Sequence, residues 1–132
     1  MPFGPIQWVR DQFLDLPLIS DNLEGRIVIV TGANGGVGFE CAKHFLRMKP
    51  AKLILAVRSI EKGKAAALRM IDETKETRSD VVEVWELDMA SFASVQAFTQ
   101  RVGTLPRLDI AVLNSGMLTR LWNTTGDGYE VS

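Results

Sequence analysis

The sequence holds one cysteine, one histidine and one tyrosine among 132 residues, and no excess of charge of either sign: 15 Lys+Arg stand against 16 Asp+Glu. A single cysteine excludes an internal disulfide and a four-cysteine zinc site. A formal net charge of −1 leaves no cationic surplus, which speaks against a dedicated nucleic-acid binder or a binder of anionic membranes. Apolar runs such as Ile27-Val28-Ile29-Val30 are far too short to span a bilayer. The opening Met1-Pro2-Phe3-Gly4-Pro5 has no basic segment leading into a long apolar stretch, so no signal peptide is expected. A soluble, cytoplasmic protein is therefore expected, and the sequon at Asn123-Thr124-Thr125 reads as accidental. Trp8, Trp85 and Trp122 are too scattered to form a platform for stacking bases, and no cluster has metal-ligand spacing. There are no internal repeats or low-complexity tracts. With 46% hydrophobic and 23% charged residues, collagen-like, mucin-like and largely disordered classes are excluded. The length fits one domain with a real core.

What is present is alternation. Residues 1–24 read as an N-terminal extension in which Ile6, Val9, Phe13 and Leu14 recur at helical spacing, predicting a short helix packed on the body and ended by Pro17. Its Arg10, Asp11 and Asp15 do not make the cationic face of a membrane-surface helix. From residue 25 to 132, strands are expected at Arg26–Thr31, Lys52–Val57, Val81–Leu87 and Leu108–Leu113. Between them lie three helical patterns. The first carries Val37, Cys41, Phe45 and Met48 on one face, stopped by Pro50; Cys41 then reads as a small buried hydrophobe and the lone His44 as a surface or boundary residue. The second, N-capped by Ser59, has Ile60, Ala67, Leu68 and Ile71 on a common face. The third opens at Ser91 with Val95, Phe98 and Val102 inward. The order β-α-β-α-β-α-β predicts an α/β fold of Rossmann type, a doubly wound parallel sheet that stops after about four strands.

Chemistry concentrates between the first strand and the first helix, in Thr31-Gly32-Ala33-Asn34-Gly35-Gly36-Val37-Gly38. Glycines admit positive φ and close backbone approach, and a helix N-terminus offers free N–H groups to a phosphate. The plainer reading is a glycine-rich turn with no ligand; the strand before and the helix after it favour phosphate binding. The loop is not G-x-G-x-x-G, because Cys41 stands at the third glycine's place, and no Gly-Lys-Ser/Thr follows as a P-loop requires.

The loop resembles the T-G-x-x-x-G-x-G loop of the short-chain dehydrogenase/reductase family. Leu87-Asp88-Met89 after the third strand, Asn114-Ser115-Gly116 after the fourth (similar to the family's N-A-G), and Gly126-Asp127-Gly128-Tyr129-Glu130 strengthen the resemblance, which covers about residues 20–132 and is nearest to fungal and retinol-dehydrogenase-like members. It implies a cofactor site made of Thr31, Gly32, Asn34, Gly35, Gly36, Val37 and Gly38 in the loop, Arg58 and Ser59 after the second strand, Asp88 and Met89, and Asn114, Ser115 and Gly116. Gly32, Gly36 and Gly38 would shape the pyrophosphate loop, Asn34 would support the ribose side, Asp88 would hold the adenine amino group, and Asn114 would line the cleft beside Gly116. Read alone, Asp88 could equally cap the next helix and Asn114 a turn.

Cofactor choice rests on Arg58. An acidic residue about 20 positions past the loop selects NAD through the ribose 2′-OH; here the residue is Arg, which would pair with a 2′-phosphate. NADP(H) is favoured over NAD, although Gly35 stands where many NADP-preferring members carry a basic residue.

The resemblance also implies a Tyr-x-x-x-Lys pair for hydride chemistry, and these 132 residues contain none, since Tyr129 is the only tyrosine. Ser115 belongs to the N-S-G segment and is not the family's catalytic serine. No catalytic or metal-binding residue is expected. Three functions stay open: a dinucleotide-binding half without carbonyl-reductase activity, a non-redox enzyme such as a cyclase or isomerase of a small natural product, and a structural partner of another chain. The resemblance implies a fourth strand that lies beside the first and pairs on its other side with a fifth; without that fifth strand a homo-oligomer is expected, through edge pairing of Leu108–Leu113 or through Met117, Leu118, Leu121 and Trp122.

Overall fold

The computed structural model describes residues 9–14, 17, 21–78, 80–118 and 120–131. Four strands, β1 (Ile27–Thr31), β2 (Lys52–Val57), β3 (Val82–Glu86) and β4 (Ile110–Val112), alternate with three helices, α1 (Gly36–Arg47), α2 (Ile60–Thr74) and α3 (Phe92–Val102). The strands form one parallel sheet in the order β3-β2-β1-β4, so the chain runs outward from β1 to β3 and then returns to β1's other side. This is the expected Rossmann-like α/β architecture.

The strand period of two sorts the core into layers. Val28 and Val30, with Leu53, Leu55 and Val57, pack under Phe39, Ala42 and Leu46 of α1 and Ala66, Ala67 and Met70 of α2. Ile27, Ile29, Ile54, Ala56 and Trp85 face the other way, toward Val95, Phe98 and Val102 of α3. Every residue of β1 is buried, as a central strand covered on both faces requires. Two helices cover one face and α3 covers the other.

Ser59 and Ser91 cap α2 and α3 as expected, each hydroxyl accepting from the backbone N–H three residues on. Two helix faces match expectation only in part: Phe45, Met48, Ala67 and Ile71 pack on the core, but other expected residues do not. In α1 the buried row is Gly38, Phe39, Ala42 and Leu46, while Val37 is 79% exposed and Cys41 only half-buried. That partial burial pushes the Cys41 thiol up. In α2 it is Gly63, Ala66, Ala67 and Met70 that are buried, and Leu68 is exposed. Both helices turn their smallest residues inward to lie close on the sheet.

β4 is shorter than the Leu108–Leu113 run. Asp109 replaces the first ladder step, accepting from the Ile27 N–H on its carboxylate at 2.8 Å and donating its own N–H to the Ile27 carbonyl at 3.1 Å. After Val112 the chain is diverted onto the Thr31 side chain. In the N-terminal extension, residues 9–11 are helical, and Phe13 and Leu14 are exposed rather than packed on the body. Ile6 and Trp8 lie outside the described residues. No helix among the described residues is long and apolar enough to cross a membrane.

Candidate functional site

The segments that leave the C-terminal ends of all four strands converge on one cleft of about 610 Å³. Gly32 and Asn34 come from the end of β1, Arg58 and Ser59 from β2, Asp88 and Met89 from β3, and Asn114, Ser115 and Gly116 from β4. In a parallel α/β sheet this is where ligands bind, outside the carboxyl ends and beside the switch point where strand order reverses, here between β1 and β4.

Thr31 forms the floor. It is buried, and its hydroxyl accepts from the backbone N–H groups of Asn114 and Ser115 at 3.0 and 2.9 Å. Asn114 answers by donating its side-chain Nδ2 to the Thr31 carbonyl at 3.1 Å. Asn114 therefore ties β4 to β1 and is not a turn cap. Gly38, in the first turn of α1, packs against this tie: a Cβ there would stand 2.5 Å from both Asn114 Nδ2 and the Gly32 carbonyl oxygen. Only a hydrogen fits, and that closeness sets where α1 begins.

The head of α1 leaves its first N–H groups open. Gly35 caps it in extended backbone with no side-chain acceptor, and no acidic residue stands in the first turn. The other two helices each have a serine cap. The first N–H groups of α1 and its positive dipole end thus face no carboxylate of its own turn. Gly36 has φ +55, a left-handed conformation that favours glycine, and a Cβ at Gly35 or Gly36 would meet nothing within 4 Å. The backbone lies open to a phosphate, beside the exposed Val37.

Beyond β3, Asp88 holds its own loop. Its Oδ1 accepts from the Ala90 N–H at 2.9 Å, and its N–H donates to Ser94 Oγ at 2.9 Å. The cap of α3 is Ser91, so Asp88 keeps its second carboxylate oxygen without a hydrogen bond among the described residues. Past β2, Arg58 is joined in the cleft wall by Lys62, and neither cation has an ion pair among the described residues.

Nine of the expected site residues therefore line the cleft, Thr31 lies beneath it, and Gly35, Gly36, Val37 and Gly38 form the helix head beside it. Lys62, one turn after the Ser59 cap, joins the expected residues in the cleft lining. Thr125, Glu130 and Val131 add a further wall from the far end of the sequence. Open glycine backbone at an uncapped helix head thus stands beside a cleft whose wall carries two cations.

This fold, with its cleft at the strand ends, defines a Rossmann-type α/β protein. The short chain dehydrogenase family model matches residues 26–128, and the chain belongs to that family. It is 42% identical over 121 residues to the short chain dehydrogenase atnD of Emericella nidulans, covering 92% of this chain and 38% of that protein. Among solved structures it is similar to menthone neomenthol reductase from Mentha piperita, with a TM-score of 0.63 and 38% identity over 70% of this chain and 32% of that one. It is also similar to a short-chain dehydrogenase from Sphingobium yanoikuyae in complex with NADPH, with a TM-score of 0.63 and 28% identity over 78% of this chain and 39% of that one. The chain spans between about a third and two fifths of the length of these relatives.

Proposed function

We propose that these 132 residues form the NADP(H)-binding half of a short-chain dehydrogenase/reductase and do not by themselves reduce a carbonyl. The observation that carries the cofactor choice is the pair Arg58 and Lys62 in the cleft wall past β2, where an NAD-selecting site would place a carboxylate. A 2′-phosphate would take hydrogen bonds from the Arg58 fork and the charge of Lys62. The NADPH held by the Sphingobium relative supports the same choice.

When bound, such a cofactor supplies a hydride from its nicotinamide ring. The residues of this chain bind and orient. The head of α1 neutralises pyrophosphate charge through its N–H groups, Gly38 keeps α1 close to β1, and Asn114 fixes the β1–β4 junction beneath the cofactor. Asp88, held by Ala90 and Ser94, keeps one carboxylate oxygen for the adenine amino group. Proton exchange with a substrate oxygen needs the family's Tyr-x-x-x-Lys pair, which these residues do not include.

Titration with NADPH and NADH tests the reading. NADPH should bind more tightly, and Arg58→Ala with Lys62→Ala should abolish the preference by weakening NADPH about tenfold or more. Gly36→Asp, which sets a carboxylate at the phosphate position, should remove both. Equal affinity for the two nucleotides in the parent chain would refute NADP selectivity, and binding of neither at millimolar concentration would refute the site.

A further inference from the structure

The segment from Asn123 to Val131 is a compact turn of its own. Thr124 and Glu130 form an antiparallel bridge, and the Thr125 N–H donates to the Tyr129 carbonyl at 2.7 Å. The Val131 N–H donates to the Asn123 carbonyl at 3.0 Å, and the Tyr129 N–H to Thr125 Oγ1 at 3.2 Å. Among the described residues, this turn meets the start of α3 through a hydrogen bond and a ring contact. Asp127 Oδ2 accepts from the Phe92 N–H at 2.8 Å, and the Tyr129 ring meets the Phe92 ring edge-on at 5.1 Å between centroids.

The start of α3 is also what holds the Asp88 loop. Ser94, in its first turn, accepts from the Asp88 N–H. Asp88 and Ala90 line the cleft from one side, and Thr125, Glu130 and Val131 line it from another. We infer that Asp127 is a positioning residue, a latch that joins these two walls through the head of α3 and thereby sets the width of the adenosine end. A carboxylate suits the role, because it satisfies an N–H that the helix leaves free and complements the helix dipole. Ser91 already serves the Ser94 N–H, so the two acceptors divide the work at the helix start.

The inference rests on the dinucleotide reading only for what the cleft holds; the latch has its own readout. Hydrogen exchange is followed in the parent chain, Asp127→Ala and Asp127→Asn, together with titration by adenosine 2′,5′-bisphosphate, which probes the adenosine end alone. Asp127→Ala should raise exchange in both the 88–95 and 123–131 segments, leave β1, β2 and α1 unchanged, and weaken the bisphosphate about tenfold. Asp127→Asn keeps an acceptor oxygen and should restore both readouts to within about twofold. Unchanged exchange in the alanine variant overturns the latch. Raised exchange with unaltered affinity, or no rescue by asparagine, overturns its positioning role. If Asp127→Ala does not fold, Tyr129→Ala carries the same readouts, opening of both segments supporting the latch and wild-type exchange refuting it. A parent chain that binds no bisphosphate refutes the dinucleotide reading, and the exchange results then decide the latch alone.

Discussion

Glu76 lies in the link between α2 and β3, where its carboxylate accepts from the Arg78 side chain at 3.0 and 2.8 Å and from the backbone N–H groups of Thr77 and Arg78 at 3.0 Å. Arg78 also donates to the Pro50 carbonyl at 3.0 Å, so the pair fastens this link to the turn after α1. The Arg78 side chain, seconded by the backbone donors, holds the Glu76 pKa down to about 2. The folded value lies below the unfolded one, so the stabilisation is complete above the ordinary carboxylate range and is lost as pH falls toward 2. Glu76→Gln should therefore cost about 1 kcal/mol at neutral pH, and the deficit should shrink on acidification to about pH 3. Urea midpoints of the two chains across that interval measure it, and a constant difference would refute the assignment.

Single residues also mark how far sequence alone could reach. The glycine loop, Arg58, Asp88 and Asn114 were legible because each follows a strand end where a parallel sheet puts its ligands. Lys62 was not, since a lysine in a charged helix looks like any solvated one until the Ser59 cap fixes its turn. Thr125 was further out of reach, because the turn that carries it meets the start of α3 through a hydrogen bond spanning 35 positions and the Tyr129–Phe92 ring contact.

Among the elements, the strands were readable to within a few residues and so was the inward face of α3, whereas the faces of α1 and α2 were readable only in part. Counting large apolar side chains pointed to Val37 and Leu68, and the structure exposes both. Beside Phe39, Leu46 and Met70, the sheet meets Gly38 and Ala42 on α1 and Gly63 and Ala66 on α2, residues whose value is their small size and which hydrophobic periodicity weighs lightly. Gly63 makes the point measurable. A Cβ there would come within 2.5 Å of Val84 Cγ1 and 2.6 Å of Val57 Cγ2. Both valines are β-branched and stiff, so they cannot swing away. Alanine would gain about 1 kcal/mol of helix propensity, while overpacking costs about 1–3 kcal/mol. With a gap this short the clash should win, and Gly63→Ala should lower the thermal midpoint, whereas Lys64→Ala on the exposed face should leave it nearly unchanged. A stabilised Gly63→Ala protein would mean that α2 rides higher on the sheet than described.

At the scale of the whole molecule, the sheet's two edges differ. β3 presents Glu83, paired with Lys52, and Glu86, charges that discourage a further strand. β4 has only three paired residues, and the chain beyond it exposes Leu113, Met117, Leu118, Leu121 and Trp122. The family resemblance implied this edge, because the family's order sets the fourth strand beside the first, and β4 does pair with β1 here. For the 132-residue chain on its own, we propose that a second copy covers that side by pairing along β4, since a free backbone edge beside apolar side chains is a template for another strand. Light scattering on the eluting chain at tens of micromolar should give at least twice the monomer mass of 14.6 kDa. Leu113→Lys should return much of it to monomer by placing a charge where the partner strand would run. A parent chain that stays monomeric across that range would refute edge pairing, and a dimer indifferent to Leu113→Lys would move the contact to the segment ending at Trp122.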